Sequence, residues 1–235
     1  MKKALIACTI VITSLISCQD ESSEASVEPT TVKVSEDSVE MEQVDTVLTA
    51  ETLAFFNQSG LTSYAQSNVE GFDWSKFRLV NVYKEDSMVI APFTPDQSFL
   101  KNYGPFLKYS PDKTKFIDLD SYNIDISSTG NGQFIGHEKG PDNEVSLIDL
   151  NNNEKKRLIF LGPGGSVEDG SWIDNETLVL VGVHDNAAAD SKTAVVWKYH
   201  LPTNTFFMYE MPDPISAEKL MGEWRKERLK SVKLE

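Results

Sequence analysis

The sequence predicts an all-β fold of antiparallel strands with short flanking helices. From Phe77 onward, apolar and polar residues begin to alternate with the period of a half-buried strand. Later segments of strand length are separated by turns rich in Pro, Asp and Asn, which suit hairpin connections. Between residues 177 and 183, Val residues occupy one alternating set and Leu residues the other. We therefore expect a central strand that is buried on both faces.

Residues 1–17 have the composition of a secretory signal peptide. Lys2 and Lys3 precede an apolar run over residues 4–16, and the small residue Ser17 follows that run. A stretch of about a dozen apolar residues is shorter than the roughly 20 that a bilayer span needs. We therefore predict a signal peptide that is removed by cleavage. A retained membrane anchor and an ordinary signal peptide with a chance cysteine are the alternatives.

The residues around Cys18 indicate which type of signal peptide this is. Leu15-Ile16-Ser17-Cys18 resembles the lipobox of bacterial lipoproteins. In that family the signal peptide is cut before the cysteine, and the acylated cysteine becomes the new N-terminus. The resemblance implies that Cys18 is the lipidation site and that its acyl chains, such as palmitate, hold the protein in a membrane. Each buried CH₂ contributes about 0.8 kcal/mol, so two or more chains anchor a protein stably.

The segment over residues 18–48 is predicted to be the lipidated cysteine followed by a disordered acidic tether. Residues 19–48 contain nine acids, one lysine, no aromatic residue and no glycine. Such a composition buries too little apolar surface to offset the entropy of ordering, and its like charges extend the chain. Six valines in the same segment leave an edge strand as the alternative.

A short acidic motif directly follows the cysteine. Gln19-Asp20-Glu21 resembles the export signal of surface lipoproteins in the Bacteroidota, in which acids after the acylated cysteine direct the protein to the outer leaflet. The resemblance implies an outer-membrane lipoprotein. Two orientations stay open, since the protein would face either the cell surface or the periplasm.

Composition excludes several partners and several kinds of chemistry. The net charge of −14 becomes −16 when Lys2 and Lys3 leave with the signal peptide, and an acidic surface repels the phosphates of nucleic acids. We therefore expect no nucleic-acid partner. Of the two cysteines, Cys8 leaves with the signal peptide and Cys18 carries lipid. The mature chain is thus expected to lack disulfides, a cysteine nucleophile and a cysteine metal site.

Residues 49–235 are predicted to form a single β-rich domain. Thr49 has a side chain suited to an N-cap, and the helix that it begins is expected to end before Gly60. From Phe77, the pattern predicts a strand, a charged turn and a return strand over residues 77–91. These elements come before the repeated part of the chain.

The last predicted element is a helix over residues 214–230. Asp213 is placed to cap it, and Pro214 fits its first turn, where a missing N–H has no cost. The helix carries a narrow apolar stripe and has its basic residues in the last turns, where the helix dipole favours cations.

Two successive units of strands and turns make up the middle of the chain. The predicted segments are, in order, residues 109–117, 145–150 and 157–161 in the first unit, and residues 169–183, 194–200 and 205–211 in the second. At roughly 50 to 60 residues per unit, this spacing resembles that of β-propeller blades.

A motif makes this resemblance more specific. The segment 109–116, Tyr-Ser-Pro-Asp-Lys-Thr-Lys-Phe, resembles the Ser-Pro-Asp-Gly-Lys motif of the WD40-like repeats in TolB-type propellers. The segments 145–158 and 170–178 fit the strand pair and the start of the next repeat. Across residues 105–211 the resemblance implies propeller-like antiparallel blades. Lys113 stands where the motif usually has glycine, and only about two blades are visible where closed propellers have four to eight. An open stack of blades, or a compact sheet with helices covering its ends, is the alternative to closure.

No local motif predicts a catalytic residue, a cofactor site or a metal site. His137, His184 and His200 lack the spacing of a zinc site, and His184 and Asp185 are expected on opposite faces of a strand. Residues 162–166, Gly-Pro-Gly-Gly-Ser, lack the Lys of a phosphate-binding loop and the second Gly of a nucleophile elbow. They are interpreted as a plain connection between blades.

The acids give two weak indications of calcium binding. Asp118, Asp120 and Asp125 lie in one stretch, and Asp149 begins an Asn-rich loop. Glu154 occupies the position at which a calcium loop needs glycine, and Asn-rich hairpin turns explain the loop without a metal. We therefore expect no metal ion and no cofactor.

The aromatic residues are interpreted as core and not as stacking surfaces for sugars or peptides. Trp172 begins the second unit, and Trp197 and Tyr199 share one face of a later strand. Cross-strand ladders of this kind are more often packing residues than ligand platforms.

The sequence as a whole favours a non-enzymatic, lipid-anchored protein of the cell envelope. Its β domain would serve recognition or scaffolding, with a protein or glycan as its partner besides the membrane. A hydrolase whose site is assembled from loops and a structural subunit of an envelope complex are the alternatives.

Overall fold

A computed structural model describes residues 44–186, 191–213 and 223–235. The predicted signal peptide, the lipidation site Cys18 and the predicted tether up to residue 43 lie outside the described residues. The predicted start of the C-terminal helix at Pro214 lies outside them as well. Within the described residues, no helix has the length and apolar character needed to cross a bilayer.

The described residues form thirteen strands and four α-helices. The strands are β1 Arg78–Lys84, β2 Ile90–Pro92, β3 Lys108–Tyr109, β4 Lys115–Asp118, β5 Ile124–Gly130, β6 Gln133–Glu138, β7 Asn143–Asp149, β8 Glu154–Leu161, β9 Gly165–Trp172, β10 Thr177–Asn186, β11 Ser191–His200, β12 Thr205–Glu210 and β13 Val232–Leu234. The helices are α1 Ala50–Gln58, α2 Leu61–Asn68, α3 Gln97–Tyr103 and α4 Glu223–Arg228, and short 3₁₀ helices cover Trp74–Lys76, Gly104–Phe106 and Leu201–Thr203.

These strands form three sheets. Sheet A has the order β1-β12-β11-β10-β9, sheet B the order β2-β8-β7-β4-β3, and sheet C the order β13-β6-β5. Every pairing is antiparallel except that of β13 with β6. The prediction of an all-β antiparallel fold with short flanking helices is confirmed, and the described strands do not close into a barrel or a propeller.

The two predicted units correspond to the two large sheets. Strands β3, β4, β7 and β8 form one antiparallel meander, and β9 to β12 form the other. The hairpin β5–β6 is inserted into the first meander, between β4 and β7. Lys113, at the position where the resembled motif has glycine, has a φ of +62°, which is the left-handed region that glycine adopts most easily.

The return strand predicted over residues 87–91 does not pair with the strand before it. Instead β1 pairs with β12 in sheet A, where Tyr83 stacks on Phe206 with ring centroids 5.2 Å apart. Strand β2 pairs with β8 in sheet B. The segment therefore adds one outer strand to each sheet, because pairing with a distant strand replaces the local hairpin.

Strand β10 is an interior strand of sheet A that is buried on both faces, as its apolar pattern predicts. Leu178 and Leu180 pack in the core between sheets A and B, together with residues such as Ile117. Val179 and Val181 pack on the other face of sheet A. Burial of an aliphatic side chain of this size stabilises the fold by about 1.5–3 kcal/mol, so the two apolar sets fix β10 as a central strand.

Helices cover the outer faces of both sheets. The outer face of sheet A packs against α1 and α2, which contribute Phe56 and Leu61. The outer face of sheet B packs against α3 through Phe99, which meets Phe116 and Ile148. The described residues thus form two facing sheets with helices on their outer faces, and not a closed propeller.

The two ends of the domain differ in how closely they match the prediction. Thr49 caps α1 as predicted, because Thr52 N donates to Thr49 Oγ1 at 3.3 Å. Just before it, Leu48 is buried and Thr46 O accepts a hydrogen bond from Leu79 N at 2.9 Å, so the end of the predicted tether contacts sheet A. At the C-terminus the chain leaves α4 and forms β13, which the sequence did not indicate.

Candidate functional site at the junction of the three sheets

Buried polar residues concentrate where α4 meets one end of the sheets. The buried residues are Asp118, Asp120 and Asn123 from the segment between β4 and β5, Asn143 at the start of β7, and Ser166, Glu168 and Asp169 on β9. Helix α4 adds the buried side chain of Arg228 and the half-buried Arg225. A buried polar group costs free energy unless it has a hydrogen-bond partner. The partners of these groups therefore show which of them serve the fold and which remain for a ligand.

Arg228 and Asp120 form a buried ion pair that serves the fold. The guanidinium donates two hydrogen bonds to the Asp120 carboxylate, both at 2.7 Å, and Arg228 Nε donates to Glu168 O at 3.1 Å. Burial lowers the pKa of Arg228, but the attraction of the Asp120 carboxylate outweighs burial and raises it above its ordinary value. The pair joins α4 to β9 and to the segment after β4.

Asp118 stabilises the turn that follows β4. Its carboxylate accepts hydrogen bonds from the backbone N–H groups of Asp120 and Ser121, each at 3.0 Å, and from the Ser121 hydroxyl. Burial raises the pKa of Asp118 above its ordinary value, although these hydrogen bonds oppose the rise. The third acid of the predicted group, Asp125, is exposed and pairs with Lys139 at 3.1 Å. Among the described residues, no three His, Cys, Asp or Glu side chains are arranged to hold a metal ion.

Strand β9 contains a β-bulge at the junction. Asp169 pairs in register with Val181, whereas Val167 pairs with Gly182, so Glu168 is the extra residue. The backbones approach closely at this bulge, because a Cβ on Gly182 would lie 2.0 Å from Ser166 O. Only glycine fits there without a shift, and bulges of this kind often re-aim side chains next to functional sites.

The bulge buries two adjacent carboxyl groups that have different partners. Asp169 Oδ1 lies 3.2 Å from Lys108 Nζ, and Asp169 Oδ2 accepts from Trp224 Nε1 at 3.2 Å. Glu168 Oε1 accepts from the Ser166 hydroxyl, but Glu168 Oε2 has no partner among the described residues. Burial raises the pKa of Glu168 to about 7, even though nearby arginines counteract the rise.

This raised pKa predicts a specific dependence of stability on pH. The unfolded chain binds the Glu168 proton with a pKa of 4.5 and the folded chain with a pKa of about 7. The folded state therefore binds the proton more tightly, so this group makes the free energy of unfolding fall by about 3 kcal/mol as pH rises from 4.5 to 7. We expect Glu168→Gln to remove this fall.

Urea unfolding of the wild type and of Glu168→Gln between pH 5 and pH 8 measures the effect. The variant should gain stability relative to the wild type as pH rises. The exposed Glu154→Gln is the control and should follow the wild-type pH profile. Parallel profiles for Glu168→Gln and the wild type would contradict the raised pKa.

A cavity of about 180 Å³ opens beside the bulge, and we call it the junction cavity. Its polar lining residues are Asn123, Glu138, Asn143, Ser166 and Arg225. Gly-Pro segments around residues 140–141 and 163–165 complete its wall. The segment 162–166, interpreted from the sequence as a plain connection between blades, thus contributes Pro163 to the cavity from the connection, and Gly165 and Ser166 from the start of β9.

Three lining side chains have buried atoms without a hydrogen-bond partner among the described residues. These atoms are Asn123 Oδ1, Asn143 Nδ2 and Arg225 Nε. Asn143 Oδ1 accepts from Val167 N at 2.9 Å, which fixes the orientation of the amide and leaves Nδ2 as the free donor. An unsatisfied buried polar group costs about 1–3 kcal/mol, and folded proteins keep few of them. Three of them belong to residues that line one cavity, so this is a place where the fold leaves polar groups unpaired.

A second cavity, of about 310 Å³, lies at the other end of β7. Its lining includes Lys156 and Tyr199. Lys156 Nζ donates to Tyr199 OH at 3.0 Å and to Asn204 Oδ1 at 2.6 Å, and burial lowers the pKa of Lys156. These polar groups already form hydrogen bonds with one another. The second cavity is therefore a weaker candidate for a ligand site than the junction cavity.

The histidines do not form a catalytic arrangement within the described residues. His184 Nε2 lies 3.0 Å from Glu210 Oε1, while Asp185 pairs with Lys192. His200 Nδ1 lies 2.9 Å from Thr203 Oγ1. The side chains of His184 and Asp185 therefore have different partners, as expected for neighbours on opposite faces of a strand.

The predicted assignment of the tryptophans to the core is confirmed. Trp74, Trp172, Trp197 and Trp224 are all buried. The exposed aromatic pair is instead Tyr122 and Phe160, whose ring centroids lie 5.7 Å apart in nearly perpendicular planes. The Arg157 guanidinium lies 5.0 Å from the Phe160 centroid, so this pair presents an apolar and cationic surface.

The sequence analysis missed the residues of the junction cavity. Asn143 and Glu168 are not distinguished by the sequence, because each is one of several polar residues in a strand that becomes buried. Asn123 and Arg225 come from a turn and from a charged helix, where polar residues are common. A scan against protein-family models found no match, and searches of curated proteins and of solved structures found no similar protein.

Proposed function

We propose that this chain is a lipid-anchored protein of the cell envelope whose β domain recognises a small polar molecule in the junction cavity. The observation that carries the proposal is the junction cavity itself, on which the polar residues Asn123, Asn143, Ser166 and Arg225 converge. A pocket with a few convergent polar groups is the usual form of a small-molecule site. The proposed activity is binding without chemical conversion.

The proposed anchor is the acylated Cys18 in the outer membrane. The lipobox-like Leu15-Ile16-Ser17-Cys18 and the acidic residues after it support this location. A protein or glycan partner larger than the cavity would bind elsewhere on the domain. The exposed pair Tyr122 and Phe160 supports such a contact, since aromatic residues with a nearby arginine are enriched at interfaces.

Replacing the lipidated residue tests the anchor. We expect Cys18→Ala to move the protein from the membrane fraction to the soluble fraction, because the substitution removes the acylation site. Cys8→Ala is the matched control, since it changes the other cysteine of the N-terminal region and should leave the protein in the membrane fraction. Fractionation with mass spectrometry of the N-terminal peptide measures both. Unchanged membrane partitioning of Cys18→Ala, together with no acyl mass on the N-terminal peptide of the wild type, would refute lipid anchoring.

Native mass spectrometry tests recognition in the junction cavity. Gly140 lines the cavity, and a Cβ at this position meets no heavy atom within 4 Å, so Gly140→Trp places a large side chain at the cavity. Gly104 has the same open surroundings but does not line the cavity, so Gly104→Trp is the control. Protein purified from envelope membranes should carry a small-molecule mass that Gly140→Trp loses and Gly104→Trp keeps. Apo masses in all three proteins would count against the proposal.

A hydrolase is the second candidate, and Glu168 is the observation that favours it. A carboxyl with a pKa of about 7 beside a cavity is typical of general acid–base catalysis. Binding is the stronger proposal because Glu168 itself does not line the cavity and its hydrogen bond is to Ser166. Turnover of ester or glycoside substrates by the wild type, lost in Glu168→Gln, would reverse this order.

A further inference from the structure

We propose that α4 is a proton-coupled strap: the helix stays docked on β9 while the Glu168 side chain carries its proton, and loss of that proton favours its undocking. The inference concerns the fold itself, so it does not depend on a ligand in the junction cavity. It is based on the contacts that fix α4, on the burial of Glu168 at those contacts and on the charges around it.

Polar contacts with the acids of the junction hold α4 against β9. Trp224 Nε1 donates to Asp169 Oδ2 at 3.2 Å. The Arg228 guanidinium donates two hydrogen bonds to Asp120, and Arg228 Nε donates to the backbone oxygen of Glu168 at 3.1 Å. This last bond places the helix directly at the β-bulge. Because Trp224 is also buried, undocking is an opening equilibrium that only a small fraction of the molecules populates.

The Glu168 side chain is enclosed at this contact. The residue is fully buried, its Oε1 accepts a hydrogen bond from Ser166, and its Oε2 has no partner among the described residues. An ionised carboxylate needs several hydrogen bonds, so burying it in this environment costs more free energy than burying the protonated group. Burial accordingly raises the pKa of Glu168 to about 7. The docked fold is therefore built around the neutral acid.

The charges that face Glu168 do not compensate its ionised form. Arg228 and Lys108 are already paired with other acids. Arg225 acts more strongly on Glu168 than Arg228 does, but it is only half-buried and its Nε has no partner among the described residues. The charged groups at the junction are Asp169 on β9, Arg225 and Arg228 on α4, Asp118 and Asp120 after β4, Lys108 on β3 and Glu138 on β6. Ionisation thus adds a negative charge to a junction that already holds three other buried acids.

Undocking of α4 gives the ionised Glu168 access to water. In the undocked form the carboxyl group returns toward its ordinary pKa of 4.5, so this form binds the proton less tightly than the docked form. Proton release therefore favours undocking, and the docking of α4 weakens as pH rises from 4.5 to 7. Because Arg225 lines the junction cavity, the same step removes part of the cavity wall.

Amide hydrogen exchange of the whole protein at pH 5 and pH 7.5, followed by mass spectrometry, tests the coupling. Peptides over residues 225–235 report undocking, because Leu229 N donates to Arg225 O and Val232 N donates to Leu229 O. Peptides over β10 report global unfolding. After correction for the intrinsic pH dependence of exchange, the C-terminal peptides should be less protected than β10. Their protection should fall about tenfold or more between the two pH values, since one pKa unit corresponds to a factor of ten.

Two variants assign the pH dependence to Glu168. Glu168→Gln keeps the shape of the side chain and stays neutral, so the protection of its C-terminal peptides should be nearly equal at the two pH values. Glu227→Gln is the control, because it removes an exposed acid of the same helix, which pairs with Lys230, and it should keep the wild-type fall. Circular dichroism shows whether each variant is folded.

Three results would each overturn the strap. Equal protection of the C-terminal and β10 peptides would mean that α4 leaves only when the whole domain unfolds. Lower but pH-independent protection in the wild type would mean that α4 undocks without releasing a proton. An equally steep fall in Glu168→Gln would assign the coupling to another group. The first two results come from the wild type alone, and none of the three bears on the co-purified mass that tests the proposed function.

Discussion

Arg228→Ala is expected to lower the free energy of unfolding by about 3–5 kcal/mol, which is the usual cost of removing one partner of a buried ion pair. The guanidinium makes two hydrogen bonds of 2.7 Å to Asp120 and one to Glu168 O. Without it, the buried Asp120 carboxylate has no compensating charge, and α4 loses its link to β9. A whole domain has only about 5–15 kcal/mol, so the variant should be close to unfolding.

Urea unfolding of Arg228→Ala, Asp120→Asn and the double variant measures this contribution. The double variant should lose less stability than the sum of the two single variants, because it leaves no unpaired buried charge. Lys230→Ala is the control, since Lys230 pairs with Glu227 at the exposed end of the same segment and surface pairs contribute little. A midpoint for Arg228→Ala that matches the Lys230→Ala midpoint would contradict a structural role of the pair.

The sheets could be predicted where short-range patterns determine them. The doubly apolar set in β10 requires two buried faces, and a hairpin connects β10 to each neighbour within a few residues. The position of Lys113 in the left-handed region follows from the turn between β3 and β4. In such segments the residues that decide the pairing are close in sequence, so the pattern contains enough information.

Pairings between distant segments were the ones that the sequence did not predict. Strand β1 joins β12 and strand β2 joins β8, although a local turn between the two segments suggested a hairpin. Strand β13 adds to β6 in parallel, and Gly136 is what allows it, since a Cβ there would lie 2.8 Å from Val232 Cγ1. The sequence of a single strand does not indicate which distant sheet edge the strand will join.

A related reason explains why the candidate site could not be predicted from the sequence. Its polar residues come from a turn, from three strands in three different sheets and from a helix, and they meet only after the sheets pack. The bulge at Glu168 is invisible in the sequence, because it depends on the register of β9 against β10. The sequence shows Glu168 as one of many acids, and burial alone gives it a pKa of about 7.

Trp172→Ala is expected to cause a loss of stability as large as that of Arg228→Ala. Trp172 lies on β9 and packs in the core between sheets A and B, with Leu178 as its neighbour in register. Its Nε1 donates to Lys108 O at 2.8 Å, which connects β9 at the edge of sheet A to β3 at the edge of sheet B. The substitution leaves a cavity and an unpaired carbonyl group, and core tryptophan truncations cost about 3–5 kcal/mol.

Thermal unfolding gives the most direct measurement. For a domain of this size, 1 kcal/mol corresponds to about 2–4 °C, so Trp172→Ala should lower the melting temperature by about 6–20 °C or prevent folding. Trp172→Phe keeps one aromatic ring in the core but removes the donor to Lys108 O and part of the indole volume, so it shows how much of the loss a remaining ring prevents. Trp172→Phe should lower the melting temperature less than Trp172→Ala does. If Trp172→Ala melted within a degree or two of the wild type, Trp172 would not be a core residue, and the interface between sheets A and B would have to be held by other contacts.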